Sequence, residues 1–228
     1  FLLSIIFTSV VFSQTEKPVI TCSQSKSIQR LLDFQSTITE NQEKIDISFY
    51  GIDLDIDFDQ HEIFGSVLVK GGVGYSQPDS IELDFSSTMD VDSVKLYGEL
   101  ISYDHENDLL SVLAPQYTPP EGYQFTMEVY YHGIPTTCGF GSFVFDSHAG
   151  TEHVWTLSEP YGARCWWPCK DDPSDKADSV DIVVRVPANQ IVASNGNLIH
   201  EILIANGRKE YHWEERYPIS TYLVSLAI

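Results

Sequence analysis

Basic residues are scarce in this sequence. Its 228 residues include 13 Lys and Arg against 33 Asp and Glu, which gives a formal net charge of −20. This surplus of negative charge repels nucleic-acid phosphates and anionic lipid headgroups, so neither nucleic acid nor an anionic membrane surface is expected as a partner. The composition suits a well-solvated extracellular surface, and with 43% hydrophobic and 12% aromatic residues the chain can still build a packed core.

Long apolar runs are also missing, apart from the start of the chain. Phe1 to Phe12 are almost all apolar, but a run of about a dozen residues is too short to cross a bilayer, so no membrane span is expected. The run is typical of the hydrophobic part of a secretory signal peptide. Because the basic start and the initiator Met are absent, residues 1–13 are interpreted as a partial signal, which predicts a secreted or periplasmic protein. A core strand is the alternative interpretation.

Cysteine is limited to Cys22, Cys138, Cys165 and Cys169. In an exported chain these residues can form disulfides, and four cysteines allow three complete pairings, among which the sequence does not choose. The spacing of Cys165 and Cys169 fits neither a Cys-x-x-Cys redox pair nor a common zinc knuckle. A structural bridge or a free, buried Cys169 is therefore favoured over a metal site, and no metal ligand is predicted in this chain.

From Ile45 onward the hydrophobic residues follow a two-residue period. The clearest apolar positions are Ile52, Leu54, Ile56 and Phe58. Aspartates stand between them, which predicts a strand with one buried and one solvated face. A calcium loop is the alternative, but an EF-hand starting at Asp53 would need Gly and Glu where the sequence has Phe58 and Phe64.

Short apolar runs continue to the end of the chain and are separated by turn signals. These signals include Gly71-Gly72 and Asn107-Asp108, and the strong tight-turn dipeptides are Asn195-Gly196 and Asn206-Gly207. With no long amphipathic helix and no interdomain linker, the pattern predicts a mainly β fold of antiparallel sheets packed on one another. Residues 14–44 are interpreted as a polar leader and residues 45–228 as one β domain.

One stretch, the 157–177 segment, is unusually dense in chemistry for a connection between strands. It contains two tryptophans, two cysteines, three prolines and a cluster of charges. Glu159 precedes Pro160, which favours an extended backbone and a carboxylate at the end of a strand. Trp166 and Trp167 offer an apolar anchor, and Arg164 can pair with a nearby carboxylate.

The ordered motifs of this segment resemble those of a known family. They are Ser-Glu-Pro-x-x-Ala-Arg, Trp-Pro-Cys, Asp-Asp-Pro and Asp-Lys-Ala, followed by Val-Pro and Ala193-Ser194-Asn195-Gly196. Together with the chain's end they are similar to the N-terminal domain of the aminopeptidase N family of zinc metallopeptidases. The resemblance implies a saddle-like β-sandwich, a full-length parent that binds zinc and a peptide substrate with a free amino terminus.

The family's zinc motif, His-Glu-x-x-His on a helix, is not found in the chain. His61-Glu62 and His200-Glu201 match the first two residues of this motif, but Gly65 and Ile204 stand where the second His should be. The family's Gly-Ala-Met-Glu-Asn motif is absent too. The C-terminal catalytic domain is therefore expected to be missing, and the chain itself is predicted to be inactive.

By the same resemblance, Glu159 matches the acid or Gln with which this domain reaches the active site and holds the substrate's α-amino group. A carboxylate facing an ammonium in a partly dry cleft is a charge-assisted contact. Other residues are expected to shape and lock the segment that presents Glu159: Arg164, Trp166, Trp167, Cys169, Asp171, Asp172 and Lys176. Lys170 and Asp172 depart from the family's frequent Phe and Glu, which leaves substrate preference open.

A second interpretation is a secreted, non-catalytic β-sandwich that binds glycans or a protein through exposed Trp166, Trp167 and nearby tyrosines. The two interpretations differ in the exposure of these side chains. A binding platform leaves indole faces open, whereas the aminopeptidase interpretation buries at least one of them.

Overall fold

The computed structural model describes residues 38–112, 120–138 and 140–228. The partial signal peptide, most of the polar leader and Cys22 lie outside the described residues. The strands are β1 Ile45–Asp57, β2 Glu62–Val73, β3 Ile81–Asp84, β4 Asp90–Leu96, β5 Glu99–Ile101, β6 Asp104–Glu106, β7 Leu109–Val112, β8 Gln124–Gly133, β9 Ser142–His148, β10 Thr151–Leu157, β11 Ser179–Pro187, β12 Ala193–Ser194, β13 Asn197–Ile204, β14 Arg208–Glu215 and β15 Leu226–Ala227. Short 3₁₀ turns cover Gln42–Lys44, Ala163–Cys165, Ala205–Gly207 and Thr221–Leu223. The predicted mainly β fold is confirmed.

The strands of this part of the chain form three sheets. The largest has eight strands in the order β13-β14-β11-β1-β2-β8-β4-β5, and the smaller ones have the orders β12-β15-β10-β9 and β3-β7-β6. Most neighbours are antiparallel, as predicted, but the central pair β1 and β11 is parallel, with Gly51 opposite Asp181. None of the helices in the described ranges has the length and apolar character needed to cross a bilayer.

Strand β1 shows the predicted division into two faces. Ile52, Leu54 and Ile56 are almost completely buried, whereas the aspartates between them lie on the opposite face. There the Asp53 carboxylate pairs with Arg185 on β11. The alternation therefore encodes a strand, and the aspartates bind neighbouring arginines on the open face of the large sheet.

A single cluster of buried side chains joins the three sheets. The large sheet contributes the inward faces of β1, β2, β8 and β11. The smaller sheets contribute residues such as Leu83, Val154 and Leu226, and the tryptophans of the 157–177 segment lie in the same cluster. The segment is thus part of the hydrophobic core, which explains its apolar content.

Two of the four predicted turn signals behave as expected. Asn206 and Gly207 both have positive φ and close the hairpin between β13 and β14. Asn107 and Asp108 also have positive φ and lie between β6 and β7. Side chains that tolerate the left-handed region are what such tight hairpins require.

Of the other two predicted turns, Gly71-Gly72 is wrong, whereas Asn195-Gly196 is a turn that closes no hairpin. Gly71 and Gly72 lie inside β2, where a Cβ on Gly71 would come within 2.7 Å of the Asp46 carbonyl oxygen. Close approach of a neighbouring strand, rather than a turn, explains this glycine. Asn195-Gly196 does not close a hairpin either, because β12 pairs with β15 while β13 pairs with β14. It carries the chain from one sheet to another.

Candidate functional site

Glu159 lies just beyond the end of β10, as the sequence predicts. Strand β10 ends at Leu157 and pairs along its length with β9. Ser158 is buried and Glu159 is exposed, and the Glu159-Pro160 peptide bond is cis. The Gly162 N–H donates a 2.8 Å hydrogen bond to the Ser158 carbonyl oxygen. This bond closes a tight turn that carries Glu159 at its surface.

The turn is packed closely against β9. A Cβ on Gly162 would lie 2.3 Å from the Ser142 Oγ, and the Ser142 hydroxyl donates a 2.8 Å hydrogen bond to the Cys138 carbonyl oxygen. A side chain at position 162 would therefore push the turn away from the hairpin. The glycine is needed here for space, and the result is a fixed backbone under the Glu159 side chain.

The carboxylate of Glu159 makes no hydrogen bond or ion pair with any other residue in the described part of the chain. Two of its acidic neighbours in the segment, Asp171 and Asp175, differ from it because they are paired with cations. An exposed carboxylate without an internal partner keeps its acceptor oxygens free for a ligand. This is the arrangement that binding of an external ammonium group requires.

Both tryptophans of the segment are fully buried, with no accessible surface. The Trp167 ring packs edge-on against Tyr50, with centroids 4.8 Å apart, and Trp166 lies 5.8 Å from Trp167. The Trp166 Nε1–H donates a 3.1 Å hydrogen bond to the Ser158 Oγ, so the anchor is bonded directly to the residue before Glu159. The glycan- or protein-binding platform of the second interpretation is not favoured, because neither Trp166 nor Trp167 has an open indole face.

Arg164 holds two buried carboxylates. Its Nη1 lies 3.1 Å from the Asp84 Oδ1, and its Nε lies 3.2 Å from the Asp171 Oδ2. The Asp171 backbone N–H donates to the Asp84 Oδ2 at 2.8 Å, and the Thr221 hydroxyl donates to the Asp171 Oδ1 at 2.8 Å. These contacts tie the segment to β3 and to the end of the chain.

Burial sets the acid–base behaviour of this network. Desolvation raises the pKa of Asp84 and that of Asp171, and the positive charge of Arg164 opposes both shifts. For Arg164, desolvation acts to lower the pKa, but the two carboxylates prevail and raise it. The positive charge of Arg164 therefore offsets part of the cost of burying the two carboxylates away from water.

The cysteines of the described residues also fix the segment. Cys138 and Cys165 form a disulfide across a sequence separation of 27, which ties the chain before β9 to the turn that follows Glu159. Cys169 is free and buried, which was one of the two states expected for it, the other being a structural disulfide. Desolvation raises the pKa of its thiol well above the ordinary value, and its backbone exchanges two hydrogen bonds with Asp84.

The remaining charged residues of the segment have different roles. Lys170 is buried, and its Nζ donates to the Ile45 carbonyl oxygen at 2.7 Å and lies 2.6 Å from the Asp175 Oδ2. Asp172 caps a turn by accepting hydrogen bonds from the backbone N–H and the hydroxyl of Ser174. Lys176 is exposed and has no hydrogen bond or ion pair with the rest of the described chain. Lys176 is therefore not part of the buried network of Arg164, Asp84 and Asp171, although the sequence predicted that it would help to lock the segment.

Sequence reasoning missed several residues of this support. Asp84 accepts from Arg164, Asp171 and Gln42, although nothing in its own motif indicated such a role. Gln42 belongs to the end of the predicted leader, where Thr39 also donates to the Glu82 carboxylate at 2.5 Å. The leader's boundary at Ile45 stays a prediction, but its last residues pack on β3.

The described residues do not fit the family's catalytic zinc. His61, at the turn between β1 and β2, and His200, on β13, lack a second histidine four residues on. A further His-Glu pair, His105-Glu106 on β6, has Leu109 in that position. The motif needs two histidines on one helical face, and these pairs lie on strands or turns.

Comparison with known proteins places this architecture in a family. Residues 33–223 match the family described as the Peptidase M1 N-terminal domain. The chain belongs to this family, whose name agrees with the resemblance carried by the 157–177 segment.

Named relatives and solved structures agree with the family. Human endoplasmic reticulum aminopeptidase 1 is 32% identical over 111 residues, 47% of this chain and 12% of the relative. Probable aminopeptidase 1 of Sulfurisphaera tokodaii is 28% identical over 174 residues, 76% of this chain and 20% of the relative. The crystal structure of the M1 zinc metallopeptidase from Deinococcus radiodurans superposes with a TM-score of 0.71 at 25% identity, covering 81% of this chain and 42% of that one. A mutant of that enzyme was solved with a Tyr-Ser-Ala substrate. The chain thus spans less than half the length of these proteins.

Proposed function

We propose that this chain is the substrate-recognition domain of a zinc aminopeptidase and that Glu159 binds the free α-amino group of the peptide. The observation that carries the proposal is a contrast within the 157–177 segment. The Asp171 and Asp175 carboxylates are paired with cations inside the protein, whereas the Glu159 carboxylate is exposed and unpaired among the described residues. The similarity to M1 zinc metallopeptidases supports it.

The chemistry follows from the surroundings of Glu159. In the full-length parent, the zinc of the catalytic domain would supply a polarised water for attack on the first peptide bond. The part of this chain would be to fix the substrate, since a carboxylate attracts an ammonium and does not attract an acylated amine. A hydrogen bond to a charged group contributes about 1.5–3 kcal/mol, which corresponds to a roughly 10- to 100-fold preference.

The buried network would act on Glu159 through position. Trp166 bonds to the residue before it, and Arg164 and the disulfide hold the turn that follows. A site held on anchored elements keeps the productive geometry within a fraction of an ångström. We therefore assign Arg164, Trp166, Trp167, Cys169 and Asp171 as positioning residues.

The test is aminopeptidase kinetics of the full-length parent with an aminoacyl p-nitroanilide. Glu159→Ala should lower kcat/KM by about 10- to 100-fold. Glu159→Gln keeps an acceptor oxygen but loses the charge, so its kcat/KM should lie between those of the wild type and Glu159→Ala. Glu152→Gln is the matched control, because Glu152 is an exposed carboxylate on the same hairpin. Equal kcat/KM for wild type and Glu159→Ala would contradict the proposal.

The 228-residue chain itself is proposed to be inactive, since the motif that would hold zinc is not in its sequence. The chain incubated with Zn²⁺ should not hydrolyse the same substrate, and metal-dependent turnover would overturn this part of the proposal. Export is proposed as well, because of the apolar run at residues 1–12 and a disulfide of the kind that oxidising compartments favour. A mature protein that begins close to Gln14 would support export.

A further inference from the structure

The open face of the large sheet carries a cluster of possible metal ligands that has no part in the proposed function. Asp181 lies on β11, and His212 and Glu214 lie on β14. Because His212 and Glu214 are two residues apart in a strand, their side chains project to the same face. Asp181 is directly opposite Glu214 in the antiparallel pair, so the register brings all three together.

One ligand atom from each residue points to a common centre. The His212 Nε2 lies 4.0 Å from the Asp181 Oδ2 and 3.8 Å from the Glu214 Oε1. These atoms all lie within 4.8 Å of one another. Tetrahedral zinc with bonds of about 2.0–2.1 Å places its donors roughly 3.3 Å apart, so each donor needs to move by about 1 Å or less.

The His212 Nε2 makes no hydrogen bond within the described part of the chain. The atom is inaccessible to solvent, and its distances of 3.8–4.0 Å to the two carboxylates are too long for a hydrogen bond. A buried polar atom without a partner is unfavourable, and in proteins an ion or a water molecule commonly satisfies such an atom.

Arg216 occupies the other side of the two carboxylates and leaves the ligand atoms free. Its Nη1 contacts the Asp181 Oδ1 at 2.5 Å and its Nη2 contacts the Glu214 Oε2 at 2.7 Å. These are the oxygens that do not face His212. Two carboxylates opposite each other repel, and one guanidinium leaves a net negative charge at the cluster. The arginine orients both ligands as outer partners of a metal site do.

We propose that Asp181, His212 and Glu214 bind a divalent transition-metal ion of the zinc class. An imidazole with two carboxylates suits such ions, whereas Ca²⁺ and Mg²⁺ prefer oxygen ligands alone. Asp181 also lines an open cleft of about 390 Å³ on the same face. A bound ion would link the neighbouring strands β11 and β14.

Zn²⁺ titration of the metal-free 228-residue chain, followed by calorimetry, tests the proposal. Wild type should bind Zn²⁺ at one site and should not bind Ca²⁺ there, and His212→Gln and Asp181→Asn should each weaken Zn²⁺ binding at least about tenfold. His132→Gln is the matched control, because His132 also lies between two carboxylates, those of Asp90 and Asp92, but completes no ligand cluster in the described residues.

A second measurement needs no variant. Zn²⁺ added to the wild-type chain should shift the ring proton resonances of His212 and leave those of His132 in place. The proposal is overturned if Zn²⁺ affinity is unchanged in His212→Gln, if His132→Gln reduces it equally, or if the His212 resonances do not respond.

Discussion

Replacement of Arg164 by Met removes the positive charge between two buried carboxylates and leaves the apolar stem in place. The side chain of Arg164 is 11% exposed, and those of Asp84 and Asp171 are 7% and 0% exposed. Removal of one partner from a buried ion network typically costs about 3–5 kcal/mol, because the remaining charges stay buried without compensation. With a urea dependence of roughly 2–3 kcal/mol per molar, the unfolding midpoint should fall by about 1 to 2.5 M.

The loss of stability in Arg164→Met should depend on pH, and it should become smaller as the pH falls. Burial already raises the pKa of Asp84 and Asp171 above the ordinary value of 3.8, and Arg164 limits both shifts. Without Arg164 both folded-state pKa values rise further. A carboxyl whose folded pKa is raised binds its proton more tightly in the native state, so stability increases as pH falls through that pKa. Arg164→Met should therefore be most destabilised near pH 8 and less destabilised as pH approaches 4.

Arg216→Met is the matched control for this experiment. Arg216 also bridges two carboxylates, but its side chain is 44% exposed, and exposed ion pairs contribute about 0–1 kcal/mol. Urea unfolding between pH 4 and pH 8 measures how much stability each variant loses relative to wild type. The reasoning is refuted if Arg164→Met loses no more stability than Arg216→Met, or if its loss grows toward acid.

Two further predictions concern the thiol and the turn between sheets. In a Cys22→Ser background, Cys169 should react with a disulfide reagent only after unfolding in urea, because the thiol is buried and desolvation raises its pKa; labelling of the native protein within minutes would contradict its burial. Gly196→Ala should cost more than about 2 kcal/mol in urea unfolding, because Gly196 has φ +80° and a Cβ would lie 2.1 Å from the Glu214 carbonyl oxygen. Gly207→Ala, at φ +67° with open space around it, is the control with an expected cost of about 1–2 kcal/mol, and an equal loss in both would contradict the steric argument.

Local patterns were sufficient to predict the strands. The two-residue period of a strand is enough to predict β1 from the alternation around Ile52 and Leu54. The preference of a tight hairpin for positive φ is enough to predict the turn at Asn206-Gly207. At Asn195-Gly196 the same rule predicted a turn correctly, between β12 and β13, but it does not tell which strands pair. The Asn195 side chain accepts from the Ser225 backbone N–H at 2.7 Å, a contact set by tertiary structure.

The candidate site was predictable in its exposed part and less so in its support. Glu159 and its place after a strand followed from the Ser-Glu-Pro motif. Asp84 could not be found, because the sequence Ile81-Glu82-Leu83-Asp84 suggests a solvated acidic face, whereas all four residues are buried. Lys170 was noted only as a departure from the family, yet it is bonded to β1. Partners as distant in sequence as Arg164 is from Asp84, or Ile45 from Lys170, leave no local signal.

The parallel pairing of β1 with β11 has a consequence for biosynthesis. Gly51 is opposite Asp181, so the middle of the eight-stranded sheet stays open during translation until the ribosome has released most of the domain. Such distant pairing slows folding and exposes unpaired strand edges to aggregation in the meantime. A nascent chain that stalls before β11 would therefore present β1 as an unpaired strand edge.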